Sequence, residues 1–122
     1  DSLNKDIRIN DRTFACKGNT KDFIWFSYKD FFRQNLAISD FLAICEKYNW
    51  FFIDDFEQND DYGKDIIRRF IGFIDIAYIE KVKIKFFFNS DDIRSLYIGE
   101  ELSFLWDRTI SRLEEMQNIN DK

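Results

Sequence analysis

The chain has 122 residues and a formal net charge of −5, and 45% of its residues are hydrophobic. This length suits one compact domain, and the apolar content excludes a disordered tail. Because acidic residues outnumber basic ones, we expect no nucleic-acid partner. No apolar run approaches the roughly 20 residues that a membrane-spanning helix needs, so we expect no membrane span.

Two features of composition restrict the chemistry. Histidine is absent, which excludes catalytic sets built on a histidine base. Cys16 and Cys45 lack the spacing of a zinc site, and in the acidic segment 57–64 the glycine comes one position too late for a calcium-binding loop. We therefore predict no metal site. The apolar neighbours of both cysteines are typical of buried thiols in a reducing compartment.

The first third of the chain predicts strands. Alternation of polar and apolar residues indicates a hairpin over residues 6–16, and the apolar residues 23–26 predict a third strand. Ser27 stands three residues before Asp30, which predicts an N-cap and a short helix.

Helical and strand patterns alternate in the rest of the chain. Apolar residues recur at helical spacing up to Tyr48, and Ser39 with Asp40 is the predicted N-terminal cap. The continuous apolar run over residues 50–53 is typical of a strand covered on both faces. Further periodicity predicts a long helix over residues 66–78, a strand over 82–88 and a last helix over 101–117.

This order of elements predicts parallel pairing, because parallel neighbours need crossover connections. We therefore predict one α/β domain over residues 1–122. It would have a mainly parallel sheet with helices on both faces over residues 23–117, and the hairpin at its N-terminal edge.

Polar residues follow two predicted strands, at the edge where ligands bind in parallel sheets. Asp54 and Asp55 follow one strand and Asn89 follows the other. Paired carboxylates can hold Mg²⁺, but the glycines at positions 18, 63, 72 and 99 do not form the phosphate-binding loop G-x-x-x-x-G-K-[ST]. Two interpretations stay open: a magnesium or phosphate contact, and acidic residues that end a strand and cap the next loop.

Four arginines are the candidates for an anionic ligand. Arg108 and Arg112 lie one helical turn apart, and Arg68 and Arg69 belong to the preceding long helix. A guanidinium group matches phosphate or carboxylate, so these residues could face a nucleotide or a subunit interface. The alternative is surface ion pairing, since Glu115 follows Arg112 at the i+3 position.

Several blocks resemble one family in order and spacing. Residues 107–117 resemble the motif F-x-R-T-x-S-R-L-x-E-M-Q, which closes the ATPase family of the bacterial cell-division protein ZapE and its mitochondrial relatives, the lactation-elevated proteins. Five earlier stretches are similar to further blocks of that family: residues 68–78 to R-R-F-I-x-L-I-D-x-x-Y, 50–55 to F-x-x-x-F-L-D-D, 39–42 to A-D-Y-L, 26–31 to F-S-F-E-D-L and 11–14 to G-R-x-L.

The resemblance covers nearly the whole chain but only the C-terminal third of the family. It implies an AAA+-type P-loop ATPase that uses ATP and Mg²⁺, with the phosphate-binding loop and the principal Mg²⁺ carboxylate in the preceding part. Asp54 and Asp55 do not correspond to that carboxylate. On this basis the chain completes the ATPase fold and supplies arginines, its catalytic residues stay unknown, and alone it should be inactive and need no cofactor.

The resemblance also implies partners and a location. The expected partners are the remainder of the ATPase or neighbouring subunits, together with proteins of the division machinery. The expected location is the bacterial cytoplasm, with the mitochondrial matrix as the alternative. A second hypothesis is a degenerate, non-catalytic α/β module that binds proteins through exposed aromatic residues such as Trp25 and Trp106.

Overall fold

A computed structural model describes residues 4–88 and 92–120 of the chain, so the candidate Asn89 lies outside the described residues. The elements in chain order are β1 (Asn4–Ile9), β2 (Arg12–Asn19), β3 (Phe23–Ser27), α1 (Tyr28–Phe31), α2 (Ile38–Lys47), β4 (Trp50–Asp54), α3 (Lys64–Glu80), β5 (Lys83–Phe86) and α4 (Ser103–Asn120). Among these residues, no helix combines the length and the apolar character that crossing a membrane requires.

All five strands form one sheet, in the order β1-β2-β3-β4-β5. The pairs β1–β2 and β2–β3 are antiparallel, whereas β3–β4 and β4–β5 are parallel. The α/β class is confirmed, but the prediction of a mainly parallel sheet is wrong, because the sheet is mixed. Strand β2 continues to Asn19 and pairs with β3, placing Gly18 opposite Trp25.

Two predicted helix starts differ in outcome. Ser27 caps α1 as expected, and its hydroxyl accepts a hydrogen bond from the Asp30 N–H at 2.9 Å. Helix α2 begins earlier than predicted, at Ile38. The reason is that Asp40 occupies the third helical position, where its carboxylate accepts a hydrogen bond from the Ala37 N–H at 2.8 Å.

One face of the sheet is buried beneath the helices. The side chains of β3, β4 and β5 on this face are Ile24, Phe26, Phe51, Ile53, Ile84 and Phe86. Phe73 of α3 lies over the middle of the sheet and is fully buried. Its ring lies 5.6 to 5.9 Å from four other rings, those of Phe26, Phe32, Phe41 and Phe51. These aromatic contacts bring the sheet, α2 and α3 into one core.

The opposite face of β3, β4 and β5 is not covered by a helix from residues 4–88 or 92–120. On this face Trp50 is 36% exposed, Phe52 is half-buried and Lys83 is exposed. The prediction of helices on both faces, and of a β4 strand covered on both sides, is therefore wrong for the described chain. An apolar run shows that its side chains are hydrophobic, but it does not show which segment of the protein packs against them.

A buried ion pair attaches the hairpin to α2. The Asp40 carboxylate is 1% exposed and pairs with the Arg12 guanidinium. Asn10 donates a further hydrogen bond to the same carboxylate at 3.2 Å. Because a buried charge without partners is strongly destabilising, these contacts fix the hairpin turn against the first turn of α2.

The two cysteines are free thiols. Cys45 is buried in α2, while Cys16 is half-buried in β2. Burial, together with the nearby carboxylates of Glu80 and Glu46, raises the pKa of Cys45 from 9.0 to about 12. The folded chain therefore holds this thiol in its neutral form.

The first testable prediction concerns the core. Phe73→Ala should lower the free energy of unfolding by about 3 to 5 kcal/mol, because it removes a buried ring and leaves a cavity between sheet and helices. Urea unfolding followed by circular dichroism measures this loss. Phe104→Ala is the matched control, since Phe104 is 83% exposed. Equal losses for the two variants would contradict the assigned core.

The raised pKa of Cys45 predicts slow thiol modification. At pH 8 its thiolate fraction should be about a thousandfold below that of a thiol with a pKa of 9.0, so a thiol reagent should modify Cys16 first. Mass spectrometry of the peptides identifies the modified residue. In Cys16→Ser the remaining thiol should react only after unfolding in urea. Because the unfolded thiol ionises first, stability should also fall as the pH rises above 9.

Candidate functional site

Helices α3 and α4 bring two of the candidate arginines onto one carboxylate. Arg108 Nη2 lies 3.1 Å from Asp75 Oδ2, and Arg112 Nη1 pairs with Asp75 Oδ1. The expected pair of Arg112 with Glu115 is not the one that forms. Glu115 instead accepts a hydrogen bond from the Tyr78 hydroxyl at 2.9 Å, and the Arg112 guanidinium lies 4.9 Å from the centre of the Tyr78 ring.

The other two candidate arginines diverge on α3. Arg68 lies seven residues before Asp75 and therefore on the same side of the helix, about 10 Å along its axis. It is exposed and pairs with Asp65 at 3.5 Å. Arg69 points elsewhere, and its guanidinium donates a hydrogen bond to the Phe32 carbonyl at 3.1 Å. We define the arginine patch as Arg68, Arg108 and Arg112 around Asp75.

The start of α4, and with it the position of Arg108, is set by a carboxylate from the segment between β4 and α3. Asp61 accepts hydrogen bonds from the Tyr97 hydroxyl and from the Glu100 N–H, the latter at 3.0 Å. The same hydroxyl accepts a hydrogen bond from the Leu102 N–H at 2.9 Å. These hydrogen bonds lower the pKa of Asp61, the one from Tyr97 most of all. The carboxylate therefore stays ionised where α4 begins.

The two tryptophans proposed as docking residues differ in exposure. Trp106 is 3% exposed, and its indole N–H donates to the Arg94 carbonyl at 3.1 Å. It belongs to the core, so its assignment as an exposed docking residue is wrong. Trp25 lies half-buried on the uncovered face of the sheet.

Exposed aliphatic side chains border the arginine patch. Ile38 and Leu42 of α2 are both exposed. A β-carbon built at Gly72 of α3 would lie 3.4 Å from Ile38 Cδ1, so Ile38 lies over Gly72, one turn before Asp75. Arginine combined with apolar side chains is typical of protein–protein interfaces.

Asp54 and Asp55 form a second polar cluster at the end of β4. Lys17 Nζ lies 2.9 Å from both carboxylate oxygens of Asp54 and 2.7 Å from Asp55 Oδ2. The Trp25 indole N–H donates to Asp54 Oδ2 at 2.9 Å. Burial alone would lower the pKa of Lys17, but the hydrogen bonds to Asp55 and Asp54 raise it. Both carboxylates are thus paired with Lys17 of this chain.

The described residues do not fit Mg·ATP. The two carboxylates at the end of β4 are paired with Lys17, and Arg108 and Arg112 are paired with Asp75. The sequence offers no glycine-rich loop whose N–H groups could hold a triphosphate.

Sequence reasoning missed Asp75 and Tyr78, the residues that organise the arginines. Both stand in the block of residues 68–78, at the aspartate and tyrosine positions of I-D-x-x-Y. A carboxylate on the partially buried side of an amphipathic helix was the available signal, since such a group needs a cation.

The ion pair of Arg112 with Asp75 should have a measurable coupling energy. A double-mutant cycle of Arg112→Ala and Asp75→Ala should give a coupling energy on the order of 1 kcal/mol in urea unfolding, because the pair is half-buried. The control is the exposed pair of Arg94 and Asp107, whose charged atoms are 4.0 Å apart. It should give a coupling near zero. Equal coupling energies in the two pairs would contradict the stabilising role assigned to the pair of Arg112 and Asp75.

Comparison with known proteins places the chain in one family. The sequence model described as AFG1-like ATPase matches residues 1–121. An uncharacterised protein of Schizosaccharomyces pombe is 32% identical over 73 residues, which are 60% of this chain and 16% of that protein. The chain thus spans only a small part of the length of this relative. No solved structure matches the present chain. The family resemblance of its motifs is confirmed, and the chain belongs to the AFG1-like ATPase family.

Proposed function

We propose that this chain is the C-terminal part of an AFG1-like ATPase and presents its arginine patch to an interface. In this proposal another part of the protein binds Mg·ATP and hydrolyses ATP, while the present chain completes the fold. The family match over residues 1–121 supports an ATPase parent. The lack of a G-x-x-x-x-G-K-[ST] segment in the printed sequence supports the assignment of the ATP site to another part.

The observation that carries the interface role is the exposure of Arg108 while it holds Asp75. Arg108 is 45% exposed in its side chain. A guanidinium has five N–H donors, so the same group can bind Asp75 and a carboxylate or phosphate of a partner. Asp75 keeps Arg108 and Arg112 pointing in one direction, which reduces the cost of ordering them when a partner binds.

The partner of the patch is either a neighbouring subunit or the nucleotide-holding part of the same protein. The exposed Ile38, which lies over Gly72 one turn before Asp75, favours a protein surface over a direct contact with nucleotide alone. A role beside the division machinery in the bacterial cytoplasm, with the mitochondrial matrix as the alternative, is part of this proposal through the family resemblance.

A non-catalytic binding module is the second candidate. The exposed aromatic side chains on the uncovered face of the sheet, Trp50 and Phe87, favour it over the buried Trp106. This candidate differs from the first in one measurable property, since the full-length product of the gene would then hydrolyse no ATP.

Arginine substitutions in the full-length gene product test the proposal. Arg108→Ala should lower ATP turnover tenfold or more, because an arginine that stabilises charge at an NTPase site contributes orders of magnitude in rate. Asp75→Asn should lower it only about threefold, because both arginines remain. Steady-state phosphate release measures turnover, and circular dichroism checks the fold.

Arg94→Ala is the matched control and should leave turnover unchanged. If Arg108→Ala and Asp75→Asn lowered turnover and melting temperature equally, the arginines would serve only to hold α3 against α4. If the unsubstituted full-length product hydrolysed no ATP, the binding module would replace the ATPase as the conclusion.

A further inference from the structure

The uncovered face of the sheet carries a continuous aromatic surface. We define the open face as Phe23 and Trp25 of β3, Trp50 and Phe52 of β4, and Phe87 after β5. Trp50 is 36% and Phe87 48% exposed. Phe23, Trp25, Phe52 and Phe87, with Asp54 at one end, line a shallow groove of about 510 Å³.

The rings of the open face pack on one another and on two lysines. The Phe23 and Phe52 rings meet edge to face with centres 5.6 Å apart, and those of Trp50 and Phe52 are stacked at 6.1 Å. Lys83 Nζ lies 5.5 Å from the centre of the Trp50 ring, and Lys17 Nζ lies 5.0 Å from that of Trp25. The side chains are thus held in one arrangement, as in a preformed binding surface.

The strands beneath this face have the composition of strands covered on both sides. The first four residues of β4, Trp50 to Ile53, are apolar, although only every second one faces the helices. Sheets made only of parallel strands almost always have both faces covered, and β3, β4 and β5 pair with one another in the parallel sense. A large aromatic surface left in water is unusual for an isolated chain and typical of a contact surface.

We propose that the open face packs against the part of an AFG1-like ATPase that holds Mg·ATP, which forms the second layer over β3, β4 and β5. This inference rests on the proposed function. The relative from Schizosaccharomyces pombe shows the available length, since the residues matched to this chain are 16% of that protein. That relative therefore has sequence of more than domain length outside the matched residues.

The charges of the open face favour such a cover over the other occupants. Lys83 projects from β5 on the same side as Phe87, which predicts a carboxylate on the covering part. Two copies of this face do not complement each other, because its carboxylate, Asp54, is already bonded to Lys17. The formal net charge of −5 on the whole chain disfavours a nucleic acid as the occupant.

Photo-crosslinking in the full-length gene product tests this inference. Phe87 is replaced by p-benzoylphenylalanine, and the matched control carries the same group at the fully exposed Tyr62, which lies between β4 and α3. Irradiation should link position 87 to a peptide from the nucleotide-holding part, with a yield at least tenfold above that of the control. Mass spectrometry identifies the linked peptide.

Three results would overturn the inference: a link from position 87 to a second copy, a link to co-purified nucleic acid, and a yield no higher than that of the control. ATP turnover measured on the same samples separates the two proposals. Normal turnover with an unlinked position 87 overturns the packing alone. A link to the expected part without turnover supports the packing and overturns the proposed ATPase.

A charge reversal gives an independent measurement on a variant that keeps the fold. Lys83→Glu places a carboxylate opposite the expected acidic surface, and Lys83 is exposed. Limited proteolysis between the two parts of the full-length product should be at least fivefold faster in this variant. Glu114→Lys on α4 is the control and should not change the rate. Equal rates for Lys83→Glu and the unsubstituted protein would overturn the inference.

Discussion

The position of α3 is the constraint on which the rest of the molecule depends. Phe73 buries one side of this helix against the sheet, Gly72 lies beneath Ile38 of α2, and Asp75 receives two arginines from α4. The apolar contacts supply most of the stability, because burial of large rings outweighs partly exposed ion pairs. The ion pairs with Asp75 fix the position of α4 along α3.

Several charged residues of the family-like blocks pair with charges that are distant in sequence. Arg12 of the hairpin pairs with Asp40 of α2, and Lys17 pairs with Asp54 at the end of β4. Arg112 pairs with Asp75 in the same manner. A motif residue that resembles a ligand-binding group can therefore have an architectural role, and its remaining exposed donors decide whether it also serves a partner.

The molecule offers two different surfaces on opposite sides of the sheet. The arginine patch belongs to the helical side, where charges are held in place by Asp75 and bordered by aliphatic residues. The open face is aromatic, and its side chains resemble those of a hydrophobic core although they are partly exposed. Under the two proposals, the chain would contact one neighbour through the arginine patch and another through the open face.

The sequence by itself determined the local structure and the family. Helical periodicity, the Ser27 cap and the hairpin alternation depend on near neighbours, and the order of motif blocks identified the ATPase family. The antiparallel pairing of β2 and β3 was also within reach, because the three residues between Asn19 and Phe23 are too few for a crossover. Only the tertiary structure decided that Arg108 and Arg112 meet Asp75 and that one sheet face stays uncovered. Both depend on how helices more than 30 residues apart pack, and no local pattern encodes that geometry.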